Sequence, residues 1–122
     1  MQTMTFNNAS SIYSDYPNFL DRMDTVITQN IDNENFCVAD LRHHLLMSDS
    51  QIYRKVKKQT GCSPSVYIRR KRLGRAYDLI LQSDLSLSEI SYQVGFNGLS
   101  YFSRCFSKFY GVTPSSLRYA RA

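Results

Sequence analysis

The sequence predicts an all-α fold: two helix-turn-helix subdomains joined by a long linker helix, with an extra N-terminal helix. Three observations predict it. No stretch alternates with a clean period of two, whereas apolar residues recur at helical spacing along the chain. Gly61, Gly95 and Gly111 fall just past the ends of these periodic runs, and Ser63-Pro64 and Thr113-Pro114 each set a capping residue before a proline at the first helical position. The third observation is an internal repeat. Setting residues 50–65 against 100–115 pairs Ser50 with Ser100, Ile52 with Phe102, Arg54 with Arg104, Val56 with Phe106, Lys58 with Lys108, Gly61 with Gly111 and Pro64 with Pro114. At an offset one residue shorter, Val38 pairs with Leu87, Asp40 with Glu89, Leu41 with Ile90 and Leu45 with Val94. The offset changes where a turn between two helices can absorb one residue, so each copy reads as a short helix, a tight turn and a longer helix.

Taken in order, residues 1–14, rich in Asn, Ser and Thr, read as a flexible leader. Residues 15–35 form an N-terminal helix and an acidic linker: Pro17 suits a first turn after Asp15, and Phe19, Met23 and Ile27 follow at helical spacing to about Asn30. That helix either packs on the first subdomain through those three side chains or belongs to a connection with a further domain. Helices are then expected over Cys37 to Leu45 and Asp49 to Thr60, making the first helix-turn-helix (about 37–61), and over Pro64 to Gln82 as the linker helix. Ser88 to Val94 and Leu99 to Tyr110 make the second (about 87–111), and Pro114 to Tyr119 closes the chain. In the linker helix Ile68, Leu73, Ala76, Tyr77 and Ile80 form the core stripe, and its arginines are expected to face phosphate or solvent rather than bases.

The 122 residues and 14.1 kDa suit one globular domain, and are too few for a sensor domain beside an effector domain. No apolar run approaches the ~18 residues of a membrane span, and the polar, acidic start does not resemble a secretory signal. A soluble, cytoplasmic protein is expected. Cys37, Cys62 and Cys105 have no C-x-x-C spacing, and adjacent His43 and His44 diverge on a helix, so no metal site and no cofactor are read; buried or half-buried reduced thiols fit better.

The net charge of +5 hides a segregation. Residues 1–35 hold five carboxylates against Arg22, for −4, whereas residues 36–122 hold 14 basic and 5 acidic side chains, for +9. Between Gln51 and Tyr77 there is no carboxylate, while Arg54, Lys55, Lys57, Lys58, Arg69, Arg70, Lys71, Arg72 and Arg75 crowd the same stretch. A solvated helix face accounts for many short basic runs; an acid-free stretch this long fits a polyanionic partner better.

A helix-turn-helix places its second helix in the major groove of DNA. With Ile52 and Val56 turned inward, Ser50, Gln51, Tyr53 and Arg54 are the base-reading candidates of the first copy; with Phe102 and Phe106 inward, Leu99, Ser100, Ser103 and Arg104 are those of the second. Arg42, Lys57, Lys58, Tyr101 and Lys108 are the phosphate-contact candidates. A 19-residue linker helix, about 28 Å long, suits two reading helices roughly one DNA turn, ~34 Å, apart.

Residues 36–119 resemble the homeodomain-like DNA-binding domain of the AraC/XylS family of bacterial transcription regulators. Ser88-Glu89-Ile90, Val94-Gly95-Phe96, Ser100-Tyr101-Phe102-Ser103-Arg104, Phe106 and Phe109-Tyr110-Gly111-Val112-Thr113-Pro114 carry the resemblance in the second copy. Asp40-Leu41, Met47-Ser48, Arg54, Lys57-Lys58, Thr60-Gly61 and Ser63-Pro64 carry it in the first. The arrangement with an added N-terminal helix is similar to the C-terminal part of hybrid sensor-regulators in that family. The resemblance implies sequence-specific binding to double-stranded promoter DNA, contact with RNA polymerase, activation more often than repression, and a sensing and dimerisation domain that these residues do not supply.

Two departures lie in the first copy. Leu46 stands where the family often has a turn glycine, which forces another geometry or strain at positive φ. Arg42 stands where a small residue usually packs, matched here by Ser91, and is expected to turn outward toward phosphate or solvent. A nonspecific DNA- or RNA-binding module is the alternative; it would display stacking aromatics, and here most aromatics sit at core spacing, with Tyr53 and Tyr101 as exceptions. An enzyme is not expected, because no carboxylate pair, glycine-rich phosphate loop or nucleophile with a base is evident; Cys62, near a helix start, is matched by Val112 in the repeat.

Overall fold

A computed structural model of the chain describes residues 17–121; the leader over 1–14, together with Asp15 and residue 16, lies outside the described residues. Within them the chain forms seven helices: α1 (Pro17–Gln29), α2 (Val38–Leu45), α3 (Asp49–Thr60), α4 (Pro64–Gln82), α5 (Leu87–Gln93), α6 (Leu99–Tyr110) and α7 (Pro114–Ala120).

Local chemistry accounts for the boundaries. Cys37, expected as the first residue of α2, is instead its extended N-cap, and its amide donates to the Asp40 carboxylate at 3.0 Å. That bond holds the Asp40 carboxyl below its usual range. Ser48 and Gln51 form a reciprocal capping box on α3, and Ser86 and Glu89 form one on α5, so α5 begins at Leu87 rather than Ser88. Gly61 and Gly111 end α3 and α6 in the left-handed conformation expected of them.

The chain divides into two compact units. The first contains α1 and residues 37–67. Phe19, Met23 and Ile27 of α1 are buried, as are Leu41, Leu45, Ile52 and Val56, and α1 packs on α2. Burial of each large apolar side chain contributes about 1.5–3 kcal/mol, so α1 is a core element of this unit rather than a bare connection. The Tyr67 hydroxyl donates to Asp24 at 2.6 Å. Burial, followed by that carboxylate, raises the Tyr67 pKa well above the usual phenol range, and the hydroxyl remains a donor.

The second unit contains residues 30–36 and the chain from Ile68 onward. Its core joins Leu73, Ala76 and Ile80 of α4 to Ile90, Val94, Phe96, Phe102 and Phe106. Phe102 and Phe106 lie 5.6 Å apart by ring centroid, and Tyr110 continues the series 4.7 Å from Phe106. Desolvation raises the Tyr110 pKa, and Asp78 adds to the shift.

Two arginines satisfy the end of α4. Arg118 donates to the carbonyls of Leu79, Ile80, Ser83 and Leu85; Arg121 donates to those of Ile80 and Ser83 and pairs with Asp84 at 3.1 Å. The last turn of a helix leaves its carbonyls without intrahelical partners, and these guanidinium groups supply them.

Candidate nucleic-acid interface

Each copy carries its second helix on an apolar stripe and exposes the other face. On α3, Ile52 and Val56 are buried, while Ser50, Gln51, Tyr53, Arg54, Lys57 and Lys58 are exposed. On α6, Phe102 and Phe106 are buried; Leu99, Ser100, Tyr101, Arg104 and Lys108 are exposed, and Ser103 is half-buried. The 3.6-residue period thus sorts the stripe from the candidates as the sequence indicated.

The two helices start differently. On α3 the Gln51 amide donates to Ser48 Oγ at 3.2 Å, and Gln51 Oε1 accepts from the Ser48 amide at 2.9 Å. A residue selected as a base reader is therefore folded back as a cap. The N-cap of α6 is Gly98, at φ 115°, with no side-chain cap. Its first-turn amides lack the partner that Ser48 gives α3, and open N–H groups at a helix start favour an anion.

The turns differ too. Leu46 adopts φ 56° and ψ 47°, a left-handed conformation that costs an L-residue about 1–2 kcal/mol. Its side chain is 89% exposed, so packing does not offset that cost. Arg42 braces the turn: Nη1 donates to the Met47 carbonyl at 3.3 Å and Nε lies 3.0 Å from Asp49 Oδ1, in an ion pair rather than an aligned hydrogen bond. In the second copy Ser91 is buried and donates to the Ser88 carbonyl at 2.7 Å, and the turn passes through Gly95 at φ 87°.

The acid-free stretch is not a uniform basic surface. Lys55 lies 5.8 Å from the Phe19 ring centroid, and Arg70 lies 5.3 Å from that of Phe109. The expectation that all linker-helix arginines face phosphate or solvent fails at Arg72, which is 6% exposed. Its guanidinium donates to Ile31, to Val94 at 3.0 Å, to Asn33 at 3.1 Å and to Phe36 at 3.2 Å, all backbone carbonyls. Desolvation lowers its pKa, with Asp32 opposing, and a guanidinium stays charged through such a shift. Gly95 is required there, because a Cβ would collide with the Arg72 guanidinium and the Ile31 carbonyl. Sequence reasoning missed this residue, since its partners are carbonyls of an irregular segment that carry no side-chain signature.

Cys62 is buried and Cys105 half-buried, but Cys37 is exposed, contrary to the expectation for the thiols. Tyr92, Phe109 and Tyr119 are also exposed, so Tyr53 and Tyr101 are not the sole exceptions among the aromatics. Among the described residues no three His, Cys, Asp or Glu side chains converge, and no helix is long and apolar enough to cross a membrane.

Comparison with known proteins agrees with this architecture. The family described as "Helix-turn-helix domain" matches residues 41–120. Histidine kinase P4 of Formosa agariphila is 38% identical over 90 residues, covering 74% of this chain and 7% of that protein. The transcriptional activator RhrA of Rhizobium meliloti is 39% identical over 94 residues, covering 75% of this chain and 30% of that protein. The chain thus spans well under half the length of these curated relatives. A crystal structure of a Chromobacterium violaceum transcriptional regulator, described as having an AraC-type DNA-binding domain, superposes with a TM-score of 0.79 at 28% identity, covering 95% of this chain and 97% of that one. Two helix-turn-helix copies in register, a family match across both and this likeness converge on one conclusion: the chain belongs to the AraC family of helix-turn-helix DNA-binding domains of transcription regulators.

Proposed function

We propose that this chain recognises a specific promoter sequence in double-stranded DNA by placing α3 and α6 in major-groove segments. Residues 36–119 form the DNA-binding domain, preceded by the 1–14 leader and the 15–35 helix and linker. The observation that carries the proposal is the pair of exposed arginines at matching repeat positions, Arg54 and Arg104, each on the face opposite a buried stripe. A guanidinium can bond a guanine edge bidentately. Ser50, Tyr53, Leu99, Ser100 and Ser103 flank them as further base readers, with Gln51 joining if its cap opens. Lys57, Lys58 and Lys108 contact phosphate; Arg42 reaches it only by leaving Asp49. The chain acts in the cytoplasm as the reading part of a regulator, and contact with RNA polymerase makes the outcome activation, the role named for RhrA.

Selection of bound duplexes from a random pool tests the proposal. A bipartite motif with elements about one DNA turn apart is expected. Arg54→Ala and Arg104→Ala should each relax discrimination by about 1–3 kcal/mol at a few base positions. Equal loss of affinity for every sequence in both variants, or preferential competition by RNA, would overturn it.

A further inference from the structure

We infer that Tyr101 is a positioning residue for Arg104, holding its guanidinium ready for a base edge through the aromatic ring; the inference rests on the DNA-reading function proposed above. Three contacts form a ladder from the core to the surface. Phe96, 4% exposed, packs edge-to-face on the buried Phe102 with ring centroids 5.3 Å apart. The Tyr101 ring lies 5.7 Å from Phe96, tilted by 51°, and is itself 46% exposed. The Arg104 guanidinium carbon lies 5.7 Å from the Tyr101 ring centroid, one helical turn further on. Among the described residues no carboxylate pairs with Arg104.

The ladder matters because an arginine side chain has many rotamers, and ordering them on binding costs affinity. A ring fixed against the core restricts those rotamers before DNA arrives. The first copy has no such device: Gln51 occupies the repeat position of Tyr101 and is folded onto Ser48, and among the described residues no ring lies beneath Arg54. The two copies therefore read differently, with a pre-ordered arginine on α6 and an unrestrained one on α3. A phosphate contact through the Tyr101 hydroxyl, as the sequence suggested, is the competing role.

The test uses the full chain, the selected duplex and single-base changes in each half of the motif. Tyr101→Leu should reduce discrimination at the Arg104 position about two- to fivefold and leave the other half unchanged, while Tyr101→Phe retains wild-type discrimination. Neither substitution should alter the salt dependence, and Tyr101→Leu should add no further loss in an Arg104→Ala background. If melting shows that Tyr101→Leu does not fold, Tyr101→Gln, which installs the residue of the first copy, gives the same comparison. A uniform loss of affinity in Tyr101→Phe with a shallower salt slope identifies the hydroxyl as a phosphate contact and overturns the inference. Equal discrimination by wild type and Tyr101→Leu overturns it as well. A wild-type chain that binds all duplexes alike overturns the proposed function and, with it, this inference.

Discussion

Replacing Arg72 with methionine removes a guanidinium that serves four backbone carbonyls and keeps most of the aliphatic stem. The Val94 and Phe36 acceptors lie in buried surroundings, and those of Ile31 and Asn33 in partly buried ones. Each of the two buried acceptors loses a charge-assisted hydrogen bond worth about 1–3 kcal/mol, whereas the Asn33 carbonyl keeps its bond from the Phe36 amide and the Ile31 carbonyl regains water. The substitution also relieves the cost of keeping a charge out of water, which offsets part of the loss. The net expectation is a destabilisation of about 2–4 kcal/mol, or a fall in melting temperature of roughly 10–20 °C for a domain near this size. Thermal unfolding followed by circular dichroism measures it. A companion substitution separates the guanidinium from general packing. Gly95→Ala must adopt a positive φ and also meet the guanidinium, so it should be severe in the wild type and milder beside Arg72→Met, where the φ penalty of about 1–2 kcal/mol and the Ile31 carbonyl remain. An Arg72→Met variant that melts within 2–3 °C of wild type, a change worth less than about 1 kcal/mol, or strict additivity with Gly95→Ala, would refute the reasoning.

Three further outcomes follow from the same contacts. Leu46→Gly should stabilise the chain by about 0.5–1 kcal/mol, because relief of the left-handed conformation exceeds the added unfolded-state entropy; a lower melting temperature would contradict this. The Ser86 amide and hydroxyl hold the Glu89 carboxyl below its ordinary value of 4.5. Its contribution to stability is therefore fully present above that value and is lost as pH falls through the depressed one, so acid unfolding of Glu89→Gln should show a weaker pH dependence below pH 4.5. Lys57→Ala should lower affinity for all duplexes alike and make the slope of log K against log salt shallower by about 0.9, measured by fluorescence anisotropy across a salt series.

The helices were legible because their signals are local. Gly61, Gly111 and the Ser63-Pro64 and Thr113-Pro114 pairs act within a few residues of themselves, whereas the capping boxes of Ser48 and Ser86 go unread in the expected boundaries, which start α5 one residue late. The Ile52–Val56 and Phe102–Phe106 stripes sort inward from outward on a single helix. Leu46 was legible as a strained position because the repeat supplies Gly95 for comparison. Arg72, Arg118 and Arg121 were not, since each finds backbone carbonyls more than twenty positions away in sequence, and a carbonyl looks the same at every residue. Gln51 shows a different gap: capping and base reading favour the same polar side chains at a helix start, and spacing alone does not separate the two roles.

The guanidinium groups that cap α4 and tie down residues 31–36 separate two quantities that formal charge combines. Arg72, Arg118 and Arg121 contribute three of the fifteen positive charges, and the field felt by an approaching polyanion at a distance includes all of them. Counterion release, by contrast, requires a cation seated against phosphate, and these three are committed to the protein's own carbonyls. The capture rate at low salt should therefore follow the full charge, while the salt dependence of the bound complex should follow a smaller number.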